Sequence, residues 1–379
     1  MKIKFEYVWL DGYTPEPNLR SKIKVIDYNS NINDLTIDDI PNWGFDGSST
    51  MQAEGKFSDC YLKPVRFYKN NNSKDNCPTV YVLCEVLDGN NEIHTSNYRA
   101  KVGEEDTNFW VGFEQEYFIR SGHNQSILGF KNGGMVDPQG KYYCGVGGHV
   151  VGRLISDEHL DMCLDFNINV EGTNAEVALG QWEYQIFAKG KLKSADDLWM
   201  SRYFLYKIAE KQGYQIEFHP KPMVFGDWNG SGLHTNFSNK KMREDGGEQY
   251  FNAIFKTFES RTKIHIENYG SDNHLRLTGK FETQSIDKFS WGVSDRGASI
   301  RVPKTVGETW KGYLEDRRPG SNADPYRILT VICESLSLAD ELKNTLHVMY
   351  AEIKTDDLST KYGTLSNDEL FEEYKKDEE

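Results

Sequence analysis

The chain has 379 residues, 38% of them hydrophobic and 13% aromatic, enough apolar material for one large or two ordinary globular domains. A formal net charge of −14 excludes the broad basic face that nucleic acid or an anionic membrane would require, but it leaves room for a local pocket of arginines. Cys60, Cys77, Cys84, Cys144, Cys163 and Cys333 form no CxxC pair, the pattern of reduced thiols, and no run approaches the roughly 20 apolar residues that span a bilayer. The opening Met1-Lys-Ile-Lys-Phe-Glu-Tyr-Val-Trp-Leu10 alternates like a strand and lacks the apolar core of a signal peptide, so a soluble, cytoplasmic protein is expected.

In chain order, residues 2–10 and 21–28 read as strands joined by a loop holding Gly12, Pro15 and Pro17. Trp43-Gly-Phe-Asp46-Gly-Ser-Ser-Thr50 reads as a turn-rich loop, and Thr79 to Leu87 as a strongly β-like run. The expectation is a small β-rich domain over residues 1–95 and a larger domain over 96–379, divided near Asn90 to Lys101. Val111 to Ile119 opens the second domain, where strands alternate with helices. Helices are expected to start at Ser156 and at Ser194-Ala-Asp-Asp197, the latter closed by Gly213. Glu248 to Glu267 carries helical periodicity. Asp324-Pro325 is an N-cap with proline at the first helical position, leading a helix toward Lys343. The charge-rich end, Asn367 to Glu379, reads as a solvated tail or frayed helix.

Chemistry concentrates in a few stretches. Side chains two apart on a strand share a face, so Glu114 and Glu116 point together, as do His234 and Asn236, and Glu315 and Arg317. Glu176 and Glu183 flank the apolar Val-Ala-Leu-Gly-Gln-Trp. Buried carboxylates cost several kcal/mol each unless cations answer them. Five glutamates and one histidine suit Mg²⁺ or Mn²⁺, which prefer oxygen, whereas zinc would draw cysteine. A lone Glu-x-Glu on a strand is more often a solvent face, but Phe109-Trp-Val-Gly-Phe and Tyr117-Phe-Ile make this strand too apolar for that. Arginines at 276, 296, 301, 317 and 318 have a bland reading as surface ion pairs. Yet Arg296-Gly-Ala-Ser-Ile-Arg301 offers small residues beside guanidinium groups, which bind carboxylate and phosphate bidentately. A GxxxxGK[ST] phosphate loop and a GxSxG elbow are both absent, and Gly145-Val-Gly147-Gly has the wrong spacing for a dinucleotide loop. Metal-type carboxylates with arginines and no phosphate loop point to phosphoryl transfer onto a carboxylate.

At these residues the chain resembles the eukaryotic-type glutamine synthetases, from Phe5-Glu-Tyr-Val-Trp-Leu-Asp-Gly12 to Asp324-Pro325, through Trp43 to Thr50, Gly112 to Tyr117, Gly172 to Gln185, Asn229 to Ser238, Asn273 to Pro303 and Gly312 to Pro325. The resemblance implies an α+β fold. A small β-grasp-like N-terminal domain would precede a larger α/β catalytic domain of the glutamine synthetase/guanido kinase type. It implies ATP-dependent ligation of glutamate and ammonium through γ-glutamyl phosphate, with Mg²⁺ or Mn²⁺ as cofactor. The assembly would be a homodecamer of two pentameric rings with active sites between subunits. One metal would sit on Glu116, Glu176 and Glu183, the other on Glu114, His234 and Glu315. Arg276 would bind the substrate α-carboxylate, with Trp228, Asn229 and Gly230 lining the glutamate pocket. Arg296 and Arg317 would hold the transferring phosphate and the γ-carboxylate. Arg301, Asn236, Ser238 and Tyr313 would lie along the nucleotide. Asp46 of a neighbouring subunit would bind ammonium and take its proton, and Glu282 would close the site as a flap. Residues beyond about Tyr350 have no counterpart in the family pattern. Two rivals stand beside this reading: a ligase joining glutamate to another amine, and a catalytically silent ring-forming protein. The presence of Asp46 and Glu282 argues against the first, and the intact glutamates and arginines argue against the second.

Overall fold

The computed structural model describes residues 1–123, 125–130, 139–224 and 226–355, with side chains in the last helix described to Lys343; the charged end from Asn367 lies outside them. β1 (Lys2–Leu10), β2 (Leu19–Asp27), β3 (Trp43–Asp46), β4 (Asp59–Lys69) and β5 (Thr79–Leu87) form a first sheet in the order β2-β1-β5-β4-β3. β1 and β5 run parallel, and the other pairs are antiparallel. Strand parity gives this sheet two buried faces. Ile3, Phe5, Tyr7 and Trp9 face Val80, Val82, Cys84 and Val86 in a core capped by Leu35 and Ile40. Val8, Tyr81 and Leu83 turn the other way and join the main core. Polar contacts lock that second face. Glu6 accepts from Lys207 Nζ at 2.5 and 2.7 Å, and the buried Asp196 takes Arg66 Nε at 2.7 Å and Arg99 Nε at 2.8 Å.

The second sheet carries the site. Its strands are β6 (Trp110–Ser121), β7 (Val170–Ala175), β8 (Gln181–Lys189), β9 (Tyr214–Glu217), β10 (Leu233–Ser238), β11 (Trp291–Val293), β12 (Ile300–Val302) and β13 (Leu314–Asp316). The order is β11-β12-β13-β10-β6-β8-β7, with β9 paired to the end of β6. The helices are α1 (Arg153–Asp165), α2 (Lys191–Gln212), α3 (Lys240–Glu244), α4 (Glu248–Ser260), α5 (Thr262–Glu267), α6 (Lys304–Thr309) and α7 (Pro325–Thr355). α2 lies against β6, β8 and β9, while α4 packs on α7. Along β6, Phe113, Gln115 and Tyr117 are buried on the helix side, and Gly112, Glu114 and Glu116 are half-buried on the other. Among the described residues no helix is long and apolar enough to cross a membrane.

Several sequence expectations need correction. Trp43–Thr50 is not simply a loop: Trp43–Asp46 pairs with β4, and Gly47–Thr50 is a 3-10 turn. α1 begins at Arg153 behind Gly152 in the left-handed region, not at Ser156. α2 begins at Lys191, so Ser194 lies in its first turn and its Oγ donates back to Lys191 O. The helix 248–267 is broken at Arg261, whose side chain is drawn to Ser335 Oγ (2.9 Å) and Glu334 (2.7 Å) on α7. Gly213 does close α2 in the left-handed region, and Asp324 Oδ1 accepts from Tyr326 N at the start of α7.

Candidate active site

Register assembles the site before any long-range contact is needed. Glu114 lies opposite His234, and Glu116 lies opposite Glu183. Glu315 is flanked by Asn236 on one side and Arg301 on the other. Opposed residues in antiparallel strands stand about 4.5–5.5 Å apart at Cα, so their side-chain ends meet. Two clusters result: Glu114, His234 and Glu315, and Glu116, Glu176 and Glu183, each with ligand-type atoms within 4.8 Å of one another.

In the first cluster the carboxylates are answered by cations. Glu315 is buried, with Oε1 taking Arg317 Nη1 at 2.6 Å and Oε2 taking Arg301 Nη1 at 2.7 Å. His234 Nδ1 stands 3.3 Å from Glu114 Oε2 and 3.7 Å from Glu315 Oε1. Asn236 Nδ2 donates to Glu114 Oε1 at 2.8 Å. Arg276 Nη2 lies 3.1 Å from His234 Nε2. A guanidinium only donates, so Nε2 accepts and the ring proton sits on Nδ1, toward Glu114. Burial would raise the Glu114 pKa, but the hydrogen bonds from His234 and Asn236, with the Arg317 charge nearby, bring it below the ordinary value.

The second cluster has no such answer. Burial, with Glu176 beside it, pushes Glu116 up to about 8, against the pull of Arg276 and the Gly232 N–H. Burial and the Glu116, Glu114 and Glu176 charges push Glu183 up to about 9. Glu176 is also raised by burial, against donation from Val177 N (3.1 Å) and Asn174 Nδ2 (3.0 Å). The partners here are neutral. Gly232 N donates to Glu116 Oε2 at 2.6 Å, Gln181 Nε2 reaches the same oxygen at 3.5 Å, and Gln185 Nε2 donates to Glu183. Crowded buried carboxylates with only amide donors want a cation. The oxygen-rich donor set fits Mg²⁺ or Mn²⁺. Arg301 Nε, Arg317 Nε and Gln181 Oε1 are buried without a hydrogen-bond partner among the described residues, so the surrounding groups keep bonding capacity for a ligand.

Arg276 is buried between the clusters. Its Nη1 donates to Arg318 O at 3.4 Å and its Nη2 to Arg317 O at 3.1 Å. Burial lowers its pKa to about 10, with Arg317 adding to the fall and Glu116 opposing it. Two glycines make room for it: a Cβ on Gly230 would stand 2.7 Å from Arg276 Cγ, and one on Gly232 would stand 2.4 Å from Arg276 Nη2. Gly230 O accepts from Gln181 Nε2 at 3.1 Å, and Asn229 is clasped by Gln139 at 2.7 and 2.9 Å. Trp228 sits edge-on to Phe130. Glu282 follows Phe281, both in the left-handed region at φ 59 and 56, in a loop closed by the Thr278 and Ser285 bridge. Such φ values in consecutive non-glycine residues mark a strained turn. Its carboxylate is 3.8 Å from Arg296 Nε, and its carbonyl is 3.5 Å from Arg317 Nη2. Tyr313 is exposed beside β13, while Ser238 is buried and accepts from Arg243 Nη1 at 3.0 Å.

Asp46 is the residue this chain does not bring to the clusters. It ends β3 on the first sheet, exposed, with Ser48 Oγ (2.6 Å) and Ser48 N (3.0 Å) lowering its pKa. Among the described residues it makes no hydrogen bond or ion pair with either cluster. Sequence reasoning also missed the supporting amides. Gln115 Nε2 donates to Ser321 Oγ at 3.0 Å, and its Oε1 takes the fully buried Arg202 Nε at 2.8 Å. The signal for the missed site amides was in the spacing: Asn174-x-Glu176 and Gln181-x-Glu183-x-Gln185 each put an amide on a ligand's face, as the already recognised His234-x-Asn236 does.

A mixed α+β enzyme with paired acidic clusters and convergent arginines is the class that fold and site define. The chain matches the glutamine synthetase β-grasp domain over residues 2–89 and the glutamine synthetase catalytic domain over residues 96–356. It is 52% identical over 342 residues to a glutamine synthetase of Bradyrhizobium diazoefficiens, covering 89% of this chain and 96% of the relative. It is 44% identical to one of Candida glabrata, covering 90% and 91%, and 43% identical to one of Saccharomyces cerevisiae, covering 88% and 89%. A cryo-electron microscopy structure of Plasmodium falciparum glutamine synthetase superposes with a TM-score of 0.69 at 17% identity, over 90% of this chain and 72% of that one, a likeness of fold. The chain belongs to the glutamine synthetase family, whose reaction is the ATP-dependent ligation of glutamate and ammonia.

Proposed function

We propose that this chain makes glutamine in two steps, with the β-rich unit of residues 1–95 and the catalytic unit of 96–379 building the site between subunits. The observation that carries the reading is the pair of acidic clusters on one face of the second sheet with Arg276 and Arg317 beside them. Mg²⁺ or Mn²⁺ at the two clusters would neutralise the ATP phosphates and the phosphoryl group in flight. The residues of the chain do the rest. Arg276 would hold the α-carboxylate of glutamate against the wall made by Trp228, Asn229 and Gly230. The γ-carboxylate oxygen then attacks the γ-phosphorus of ATP, ADP leaves, and Arg296 and Arg317 would steady the charge on the transferring group. Arg301, Asn236, Ser238 and Tyr313 would line the nucleotide. Asp46, offered by one subunit to its neighbour, would bind ammonium and accept its proton. Ammonia would then attack the acyl carbon and expel phosphate. Glu282 on its strained loop would close over the acyl phosphate and exclude water.

The exposure of Asp46 on the first sheet supports a site completed by a second copy, and a homodecamer of two pentameric rings in the cytoplasm is the assembly proposed. The test is ADP release by purified protein with Mg²⁺, ATP and glutamate. Ammonium-dependent turnover yielding glutamine is expected; ADP release that ignores ammonium but rises with another amine would replace this reading with that of a different glutamate–amine ligase.

A further inference from the structure

The loop between β1 and β2 ties the two sheets together at a point that bears on Arg276. Asp11, buried at its start, accepts from Tyr13 N (3.1 Å), Asn18 N (2.8 Å), Asn18 Nδ2 (3.1 Å) and Arg20 Nε (2.9 Å), which holds the loop as a strap. At one end Gly12 N donates to Thr50 O at 2.9 Å, in the turn that follows Asp46. A Cβ on Gly12 would lie 2.1 Å from Met51 O, so the backbones there are in contact. At the other end Glu16 reaches the catalytic unit. Its Oε1 accepts from Ser271 N at 2.5 Å and its Oε2 from Ser271 Oγ at 2.8 Å.

Ser271 stands at a junction. Its carbonyl and hydroxyl take Asn322 Nδ2 at 3.2 and 3.3 Å. The neighbouring Ser321 Oγ donates to Glu116 O at 2.6 Å. In the other direction the chain runs through Asp272, left-handed at φ 54, to Asn273, whose Nδ2 donates to Arg318 O at 2.7 Å, and three residues later to Arg276. A bidentate carboxylate on Ser271 therefore fixes the origin of the short segment that presents Arg276, and braces the strand bearing Glu116.

We propose that Glu16 is a positioning residue for glutamate binding. It sets Arg276 through Ser271 and links that arginine to the Asp46–Thr50 turn through Gly12. This rests on the glutamate site proposed above. Charge assistance gives the Glu16–Ser271 bonds roughly twice the strength of neutral ones. Only part reaches Arg276, so Glu16→Ala should raise KM for glutamate about tenfold while KM for ATP stays within about twofold. Glu16→Gln, which keeps an acceptor and the shape, should raise it about threefold, and Ser271→Ala, which keeps the N–H donor, by a similar factor. A purely structural role would instead lower the melting temperature and kcat with both KM values moving together.

The experiment is steady-state kinetics of the full chain and these variants, with glutamate and ATP varied separately and melting temperature recorded. If Glu16→Ala does not fold, Glu16→Gln decides. A selective rise in glutamate KM supports the inference; a glutamate KM within twofold of wild type in Glu16→Gln and Ser271→Ala overturns it. If the unaltered protein makes no glutamine, the functional reading fails first, and the two failures are told apart by that control.

Discussion

The two acidic clusters share strand β6 and differ in what answers their charge. Glu315, in the first, has both oxygens on guanidinium groups, and Glu114 has an imidazole and an amide. In the second, Glu116, Glu176 and Glu183 have, among the described residues, only backbone N–H groups and side-chain amides as hydrogen-bond donors, and all three pKa values rise. The first cluster is near charge balance as it stands, whereas the second is a built vacancy for positive charge. The two clusters differ because neighbouring positions on one face of β6 meet different partners: β10 sets His234 beside Glu114, with Glu315 of β13 and Arg301 of β12 beyond it, and β8 sets another glutamate beside Glu116.

The largest expected effect comes from unbalancing the balanced side. Glu315→Gln leaves the buried Arg317 and the half-buried Arg301 without their carboxylate and should cost about 3 kcal/mol of stability, with turnover reduced at least about a hundredfold. Thermal unfolding and ADP release measure both. Glu183→Gln should do the reverse to the metal-free protein: removing one of two opposed carboxylates should stabilise it by about 1–3 kcal/mol while abolishing most of the melting-temperature rise caused by Mg²⁺. A destabilised metal-free Glu183→Gln would erase the contrast between the clusters.

The buried histidines in the core behind the clusters titrate in the opposite sense to the second cluster's carboxylates. His159 and His265 are held at about 4, each chiefly by burial, His265 also by Arg318 against the pull of Asp316. Arg318 Nη2 donates to His265 Nδ1 at 2.9 Å, and Tyr269 and Ser335 complete the shell. Both values are depressed below the unfolded 6.5, so the unfolded chain binds the extra protons. The contribution is therefore intact above about pH 6.5 and is lost as pH falls toward 4, by at most about 3 kcal/mol per histidine. Glu116 and Glu183, held at about 8 and 9, act in the opposite sense over this range, so the histidine effect is read as a difference: relative to the unaltered protein, the urea midpoint of His159→Gln should rise as pH falls from 7.5 to 5. The smallest effect is at the amides. Asn236→Ala frees Glu114 Oε1 and should cost about 1 kcal/mol, weakening divalent-cation binding several-fold in an equilibrium titration.

The site was legible in the sequence because its ligands lie in strands, where spacing of two fixes the face and register does the rest. Glu114, Glu116, His234 and Glu315 needed no long-range knowledge beyond pairing. The fold was less legible where partners lie far along the chain. The start of α2 is capped by Glu105, which accepts from Leu192 N (3.0 Å) and Lys193 N (2.9 Å), and no local serine announces it. β4 has no counterpart among the expected elements: Pro64 interrupts it and the register shifts between Pro64 and Arg66. β3 is four residues, Trp43-Gly-Phe-Asp46, whose glycine and flanking turn hide a strand made by its partner. Asp46, read from sequence as part of a turn-rich loop, ends β3 on the first sheet, and the single chain does not bring it to the clusters.

Equilibrium binding of Mn²⁺ to the full chain, with Glu183→Gln and Glu114→Gln measured alongside, decides whether the two clusters are unequal cation sites. Two ions per chain are predicted for the unaltered protein and one for each variant, with Glu183→Gln losing the tighter site. A single ion in the unaltered protein, or the loss of both in either variant, would contradict it.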